Sequence, residues 1–188
     1  NLFNMLSGYS KPPYFRQLRI SPEHIREFIN EKVDNEIAIA KAGRHAEIHM
    51  KMNSLSDPEI IAKLYQASHA GVKIHLIVRV ICCLRTDIPG ISDNIEVHSI
   101  VGRLLEHSRI YYFYNDGNDE IYLSSADMMK RNLNRRVETL FPVLQPDLKQ
   151  RAIDIYNKMW EDNVKGRILH NDTYTMIDRR GKEAVNCQ

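Results

Sequence analysis

The stretch AEIHMKMNSLSDPEIIAKLYQASHAGVKIHLIVRVICC, residues 46–83, decides the fold. Its first part, AEIHMKM, predicts a strand. SDPEIIAKLYQASHAG combines a capping residue, a proline and an amphipathic pattern that ends near Gly71, which is typical of a helix. VKIHLIVRVICC is largely apolar, as expected for a strand covered on both faces. A strand, a helix and a strand in this order predict a parallel pair joined by a right-handed crossover.

The flanking segments extend this unit into a larger sheet. Upstream, Ser21 as N-cap, Pro22 in the first turn and a closing glycine predict a helix. Downstream, IEVHSI predicts a strand, and SRIYYFY and EIYLSSA on either side of NDGND predict a hairpin. RRVETLFPVL predicts another strand and QPDLKQRAIDIYNKMWEDN a helix, whereas the tail from Lys165 has no clear pattern. The expected class is α/β, a mixed β-sheet flanked by helices, with a core over residues 21–188 and a connecting segment over residues 1–20.

Composition limits the classes of function. The chain has 188 residues, 43% of them hydrophobic, and a net charge of +2 from 26 basic and 24 acidic residues. That balance argues against a surface dedicated to nucleic acid, so no nucleic-acid partner is expected. The three cysteines form no CxxC pair, and His45, His49, His75 and His98 lack ligand spacing, so no metal site is expected. No apolar run is long enough to span a bilayer, and the absence of an initiator methionine predicts that the chain is part of a longer protein.

Polar residues precede a strand in LLEHSRIYYFY, residues 104–114. His107 and Arg109 are two residues apart, so on an extended segment they face the same way. An imidazole titrates near neutral pH and can attack or protonate a phosphoryl oxygen, and an arginine can hold phosphoryl oxygens bidentately. We interpret His107 as a candidate catalytic residue and Arg109 as a candidate phosphate ligand. A surface histidine at the start of a strand is the alternative.

Two further groups of polar residues follow predicted strands. Arg79 ends an apolar strand, where it either reaches solvent or binds an anion at the carboxyl edge of the sheet. From residue 124, at the end of the second hairpin strand, polar groups crowd into thirteen residues and form either a wall for a polyanion or a solvated loop: Ser124, Ser125, Asp127, Arg131, Asn132, Arg135 and Arg136. Lys51 and Asn53 follow another strand and are also candidates. No GxxxxGK[ST] or GxGxxG motif is present, so a P-loop is excluded.

The order of these residues resembles a known half-site. His-x-Arg at residues 107–109, a hairpin, and SSAD at residues 124–127 are similar to the phospholipase D superfamily pattern of His-x-Lys, Asp and Gly-Ser-x-Asn. Arg109 stands where that pattern has Lys, and SSAD stands for Gly-Ser-x-Asn. The resemblance implies a phospholipase D-like half-domain. A phosphodiesterase or nuclease half-site that works as a dimer is one interpretation.

A closer resemblance covers nearly the whole chain. The blocks KMNSL, LYQASHAGVKIHLIVR, ICCL, NIEVHSIVGRLLEHSRIYYF, YLSSAD and RNLNRRVE together resemble the C-terminal domain of bacterial polyphosphate kinases. Two positions depart from that pattern, with Val80 in place of Gly and Met128 in place of Trp. The resemblance implies that residues 1–188 are a single C-terminal catalytic domain of a longer multidomain chain.

For that family, the resemblance implies reversible transfer of the terminal phosphate of ATP to inorganic polyphosphate, with Mg²⁺, through a phosphohistidine in an upstream domain. His107 matches a second histidine that acts as proton donor or stabilises the transferring group. Arg79 and Arg136 match arginines that bind nucleotide phosphates or polyphosphate. The further candidates for ATP or polyphosphate binding are Arg135, Arg109, Ser125, Asp127, Asn132, Lys51 and Asn53. The Mg²⁺ ligands and the adenine pocket are expected upstream.

The resemblance also implies partners and a location. These are ATP or ADP, polyphosphate, the upstream domains of the same chain, and further copies in a cytoplasmic homo-oligomer, with peripheral membrane association as an option. The isolated chain is expected to be inactive. A different class remains open, a non-catalytic polyanion-binding module in which Arg79 and Arg136 matter and His107 does not.

Overall fold

Nine strands form one mixed sheet in the computed structural model, which describes Ser7 and residues 17–188. The strands are β1 (Arg19–Ile20), β2 (Glu47–Leu55), β3 (Lys73–Cys82), β4 (Ile95–Ile100), β5 (Ile110–Phe113), β6 (Glu120–Ser124), β7 (Thr139–Pro142), β8 (Gly166–His170) and β9 (Thr173–Met176). Their order across the sheet is β1-β7-β6-β5-β2-β3-β4-β8-β9. β3 is parallel to β2 and to β4, and all other neighbours are antiparallel.

Four helices accompany the sheet in the described residues. They are α1 (Ile25–Lys41), α2 (Pro58–His69), α3 (Lys130–Arg135) and α4 (Pro146–Trp160), and a short 3-10 turn spans Asn115–Gly117. α1 and α2 pack on the larger apolar core and α4 on a smaller one. Leu76 and Val78 of β3 belong to the first core and Ile77 to the second, so the two cores lie on opposite faces of the sheet. None of these helices is long and apolar enough to cross a membrane.

The structure confirms the predicted α/β class and most of its elements. β2 and β3 are the parallel pair connected through α2, and β5 and β6 are the predicted hairpin. The tail after residue 165 forms β8 and β9, which extend the sheet beyond β4. β1 adds Arg19 and Ile20 to the sheet, just before the predicted start of the core at residue 21. Of the expected connecting segment, residues 1–6 and 8–16 lie outside the described residues.

The predicted start of the first helix is wrong. α1 begins at Ile25, and neither Ser21 nor Pro22 belongs to it. The Ser21 hydroxyl instead lies 2.8 Å from the carbonyl oxygen of Asn132 and 2.7 Å from that of Arg136. Ser21 is fully buried, so its hydroxyl needs a partner. Ser21 therefore donates to distant carbonyl oxygens and does not cap the first helix.

The end of β2 is where the polar segments converge. Ile110, the first residue of β5, pairs with Lys51 of β2, and β6 ends at Ser124 beside it. The segment before β5 and the segment after β6 therefore meet beyond the carboxyl end of β2. The register of β2 with β3 shifts by one residue at the same place, where Arg79 and Val80 of β3 lie opposite Asn53. Ligands of α/β folds bind at this edge of the sheet.

Candidate functional site

Backbone N–H groups near the end of β2 bind the carboxylate of Asp127. The backbone N–H groups of Asn53 and Ser54 both donate to Asp127 Oδ1, at 2.7 and 3.3 Å. Consecutive N–H groups of a regular strand point in opposite directions, so the shared acceptor marks a departure from regular strand geometry where the register with β3 shifts. These two hydrogen bonds attach the segment after β6 to the end of β2.

Asp127 in turn holds the guanidinium of Arg109. Nε and Nη2 of Arg109 donate to the two carboxylate oxygens at 3.1 and 2.9 Å, a bidentate pair. Both side chains are only 9% exposed. Burial of this kind is tolerated because each charge is paired and the carboxylate also accepts backbone N–H groups.

The remaining donors of Arg109 are used as well. Nη1 donates to the carbonyl oxygen of His107 at 2.8 Å and to its Nδ1 at 2.9 Å. The side-chain oxygen of Asn53, with the amide turned so that both of its ends are satisfied, accepts from Nη2 at 3.1 Å. A guanidinium has five N–H donors, and all five of Arg109 have partners within the protein. Arg109 borders the cleft but has no donor left for a phosphate.

This network determines the tautomer of His107. A guanidinium can only donate, so the contact with Arg109 requires a lone pair on Nδ1 of the imidazole. In the neutral ring the proton is therefore on Nε2. The ring is exposed and borders the cleft. His107 thus presents an N–H donor, not a lone pair, for contact with a ligand.

Lys51 stabilises the loop that carries His107. It is 1% exposed, and its Nζ donates to the carbonyl oxygens of Glu106 and Ser108 at 2.5 and 2.6 Å. These two residues flank His107, so the ammonium group fixes the loop that carries the histidine. Burial lowers the pKa of Lys51 to about 8, with Arg109 and Arg79 acting in the same direction.

A second buried carboxylate, that of Glu138, stabilises the segment after β6 on the other side of the cleft by accepting hydrogen bonds. Its Oε2 accepts from the Ser125 hydroxyl at 2.5 Å and its Oε1 from the Asn132 amide at 2.7 Å. Ser125 also accepts from the N–H of Thr139 at 3.0 Å. Sequence reasoning missed Glu138, although an acidic residue two positions after a pair of arginines and just before a strand was a usable signal. The side chains of Ser125 and Asn132 therefore hold this wall together through Glu138 and are not free for a ligand.

Between these walls lies a cleft of about 810 Å³. Besides His107 and Arg109 it is lined by Ser124, Ser125, Asp127, Arg131, Asn132, Arg136 and Glu138, among others. Arg131 and Arg136 are exposed, and the Arg136 guanidinium is 4.0 Å from Glu138. A basic depression of about 630 Å³ adjoins it, formed by Lys130, Arg131, Asn134, Arg135 and Arg136. The cationic groups available to an anion are on this side.

Arg79 does not line the cleft. It lies inside β3, which continues to Cys82, so the expectation that it ends the strand is wrong. Its Nε is buried and has no hydrogen-bond partner among the described residues, so this N–H remains able to donate to a ligand. It is close enough to Lys51 to lower the pKa of that amine.

The two departures from the family pattern are accommodated locally. Val80 is 59% exposed and has no positive φ, so the backbone does not require glycine there. Met128 is fully buried, and its carbonyl oxygen accepts from the N–H groups of Ser56 and Asp57, both at 2.9 Å. Neither residue lines the cleft.

Comparisons with known proteins agree with this architecture. Residues 18–188 match the family described as polyphosphate kinase C-terminal domain 2. A polyphosphate kinase from Lactiplantibacillus plantarum is 71% identical over 189 residues, which cover 100% of this chain and 26% of that protein. Polyphosphate kinase 1 from Chlorobaculum tepidum is 49% identical over 187 residues, which cover 100% of this chain and 27% of that protein.

Two solved structures show the same fold. The crystal structure of polyphosphate kinase from Porphyromonas gingivalis has a TM-score of 0.91 at 41% identity, covering 99% of this chain and 29% of that one. Nuc from Salmonella typhimurium, a phospholipase D family member, has a TM-score of 0.59 at 17% identity, covering 82% of this chain and 97% of that one, and is alike in fold alone. The chain spans about a quarter of the length of the polyphosphate kinases it matches. Because the family match covers residues 18–188, the chain belongs to the polyphosphate kinase C-terminal domain 2 family.

Proposed function

We propose that this chain supplies one half of the active site of a polyphosphate kinase, which transfers the terminal phosphate of ATP reversibly to inorganic polyphosphate. Family membership and the cleft beside His107 support this. The phosphohistidine would lie in an upstream domain of the whole protein, so the isolated chain is expected to be inactive. Phosphoryl transfer depends mainly on positioning and on neutralising charge, and the groups of this cleft are suited to both.

The tautomer of His107 is the single observation that carries the proposal. A histidine that attacks phosphorus needs a lone pair on the nitrogen that faces the substrate. Here Arg109 occupies Nδ1 at 2.9 Å, and Nε2 bears the proton. His107 is therefore a hydrogen-bond donor to the oxygens of the transferring group, whose charge it stabilises. Attack is left to another residue, as a phosphohistidine upstream provides.

The exposed arginines complete the anion site. Arg131, Arg135 and Arg136 are exposed around the cleft and the adjoining depression. A polyphosphate carries charge along its whole length, so several spaced cations bind it better than one clamp. Such a local cluster is compatible with a net charge of only +2. We assign Arg136 to the phosphates in the cleft, and Arg79 to a phosphate group that approaches along β3.

The described residues do not fit a Mg²⁺ site in this cleft. Asp127 is engaged by Arg109 and by two backbone N–H groups, and Glu138 by Ser125 and Asn132. Mg²⁺ needs carboxylate oxygens that are available for coordination. The ligands of a magnesium ion that accompanies ATP would therefore belong to other parts of the whole protein, and the proposal includes no step through the metal.

Two substitutions at His107 in the full-length kinase test the proposal. Removal of one preorganised hydrogen-bond donor costs roughly 100-fold or more in rate, so we expect His107→Ala to lose polymer synthesis to about that extent. In His107→Gln the side-chain amide can still donate from a position near that of Nε2. We expect this variant to retain clearly more activity than His107→Ala.

The measurement uses γ-labelled ATP with Mg²⁺, and follows acid-labile phosphoenzyme and polymer together. His69→Gln is the matched control, because His69 is an exposed histidine at the end of α2. Equal loss in both His107 variants would replace the donor role with proton transfer, and normal polymer in His107→Ala would refute any catalytic role. Phosphodiester hydrolysis by the isolated chain would favour the nuclease-like alternative. Polyphosphate binding with steep salt dependence but no catalytic effect of His107 would favour a binding module.

A further inference from the structure

Three potential ligands converge at the end of the sheet opposite the cleft. Glu47 and His49 are two residues apart on β2, so their side chains project from the same face. His75 is the direct neighbour of His49 on the parallel strand β3. One ligand atom from each of the three side chains lies within 4.8 Å of the others. The histidines lack ligand spacing in the sequence because strand pairing, not proximity along the chain, brings them together.

Neighbouring groups restrict these side chains. The two imidazole rings stack with centroids 5.1 Å apart, and Trp160 of α4 stacks on His75 at 4.2 Å. Tyr112 and Tyr156 contact His49 at 5.0 and 5.1 Å. Rings held in this way lose less rotational freedom when a ligand binds. The two imidazole rings are therefore partly preorganised for binding an ion.

The carboxylate of Glu47 links the cluster. Its Oε1 is 2.7 Å from His49 Nε2, and its Oε2 is 2.9 Å from Nε2 of His45. A metal ion bound by both residues would replace the proton that Glu47 and His49 share in this contact. Lys73 is 3.4 Å from Oε1 and would compete with a cation, but its side chain is 54% exposed and free to turn away.

We propose that Glu47, His49 and His75 form a binding site for a divalent transition metal of the zinc class, with solvent in the remaining position. Two imidazoles and one carboxylate are a donor set that Zn²⁺ uses. Tetrahedral zinc places its donor atoms roughly 3.3 Å apart, given bonds of about 2.0–2.1 Å. The donor atoms of the three side chains lie within 4.8 Å of one another, so modest side-chain rotations would bring them to that distance. Glu47 and His49 are 17% and 18% exposed, which leaves a path for the ion.

The site is separate from the phosphate cleft. His49 and Asn53 are four residues apart on β2, about 13 Å along a strand. A metal here would join the amino ends of β2 and β3 and would not touch the transferring phosphate. The inference therefore stands whether or not the proposed kinase role holds.

Zinc titration of the 188-residue chain tests the site, since both faces of its sheet are covered within the chain itself. A chromophoric chelator that competes for Zn²⁺ reports stoichiometry and affinity. We expect one zinc per chain, with binding weakened roughly tenfold or more in His49→Gln and His75→Gln, as loss of a ligand or its support does. His98→Gln is the matched control, because His98 stacks on the same Trp160 at 3.7 Å but lies outside the cluster.

A measurement on the unchanged chain keeps the test valid if a variant fails to fold. Nitrogen-15 spectra of the histidine rings should shift at His49 and His75 when equimolar Zn²⁺ is added, and remain unchanged at His69 and His98. Zinc binding of the same strength in His49→Gln and His75→Gln would overturn the proposal and indicate the cysteines instead. The absence of any shift at His49 and His75 would overturn it as well.

Discussion

The role of Arg109 depends on Asp127, and the role of Asp127 depends on Arg109. The phospholipase D pattern has Lys and Asn where this chain has Arg and Asp, and each departure taken alone suggests a damaged site. In the structure they form a bidentate ion pair at 2.9 and 3.1 Å, so one change compensates for the other. The ion pair engages Nε and Nη2 of the guanidinium, and Nη1 donates to His107. The residue that was a candidate phosphate ligand thereby becomes a positioning residue.

This coupling can be measured with a double-mutant cycle. Arg109→Lys removes the bidentate contact, and Asp127→Asn removes the charge while keeping an acceptor for Asn53 and Ser54. Each change alone leaves the other partner without its match, so we expect both to destabilise the fold. Together they restore a compatible pair, and the coupling free energy should be about 1–3 kcal/mol in favour of the double variant. Urea unfolding of the four proteins gives the value, and strictly additive effects would contradict the coupling.

At the level of elements, α2 depends on the residue that starts it. Asp57, not Ser56, is the N-cap, because its Oδ1 accepts from the N–H of Ile60 at 3.1 Å. Its Oδ2 accepts from Arg26 of α1 at 2.5 Å, and Asp57 is fully buried. One carboxylate therefore both caps α2 and attaches it to α1. These two helices cover the face of the sheet that carries the larger core.

Asp57→Ala should consequently destabilise the protein by more than a helix cap alone. Loss of a cap costs about 1 kcal/mol, and loss of the buried partner of Arg26 adds roughly 1–3 kcal/mol. Ser56→Ala is the matched control one residue away, because the backbone N–H of Ser56, not its hydroxyl, makes the contact with Met128. We expect a clear drop in melting temperature for the first variant and almost none for the second. Similar melting temperatures would show that α2 does not depend on its cap.

For the molecule as a whole, the face packed against α4 should be sensitive to acid. Burial lowers the pKa of His75 to about 4 from an ordinary value near 6.5, with His49 and Lys73 acting in the same direction and Glu47 and Glu96 opposing. Between these two values the unfolded chain binds a proton that the folded chain does not. The free energy of unfolding therefore falls as the pH is lowered through this window. The depressed pKa of Glu47 adds a further loss as the pH falls below about 4.5.

The His75→Gln variant isolates the histidine contribution. The shift corresponds to roughly 3 kcal/mol at most between pH 6.5 and 4. We expect the free energy of unfolding of the unchanged chain to fall more steeply across that window than that of the variant. Urea unfolding at several pH values, in the presence of a chelator, provides the comparison. Parallel curves would show that His75 is protonated as easily in the folded state as in the unfolded one.

Local patterns were sufficient to predict most elements of this fold. The apolar run of β3, the proline and cap before α2, and the NDGND turn each act over a few residues, and the structure confirms all three. The family was identified from blocks of consecutive residues, and the comparisons confirm it. The tail after residue 165 lacked such a pattern, because β8 and β9 are stabilised by pairing with β4 and with each other.

The sequence by itself determined the α/β class, the family and the stretches that carry the cleft. Only the tertiary structure decided which polar groups face a ligand and which support others. Arg109 meets Asp127 across 18 positions, Ser21 meets Arg136 across 115, and His49 meets His75 across paired strands. The physical reason is that a buried charge or hydroxyl is stable only beside a partner, and the partner is chosen by how the strands pair and not by distance along the chain.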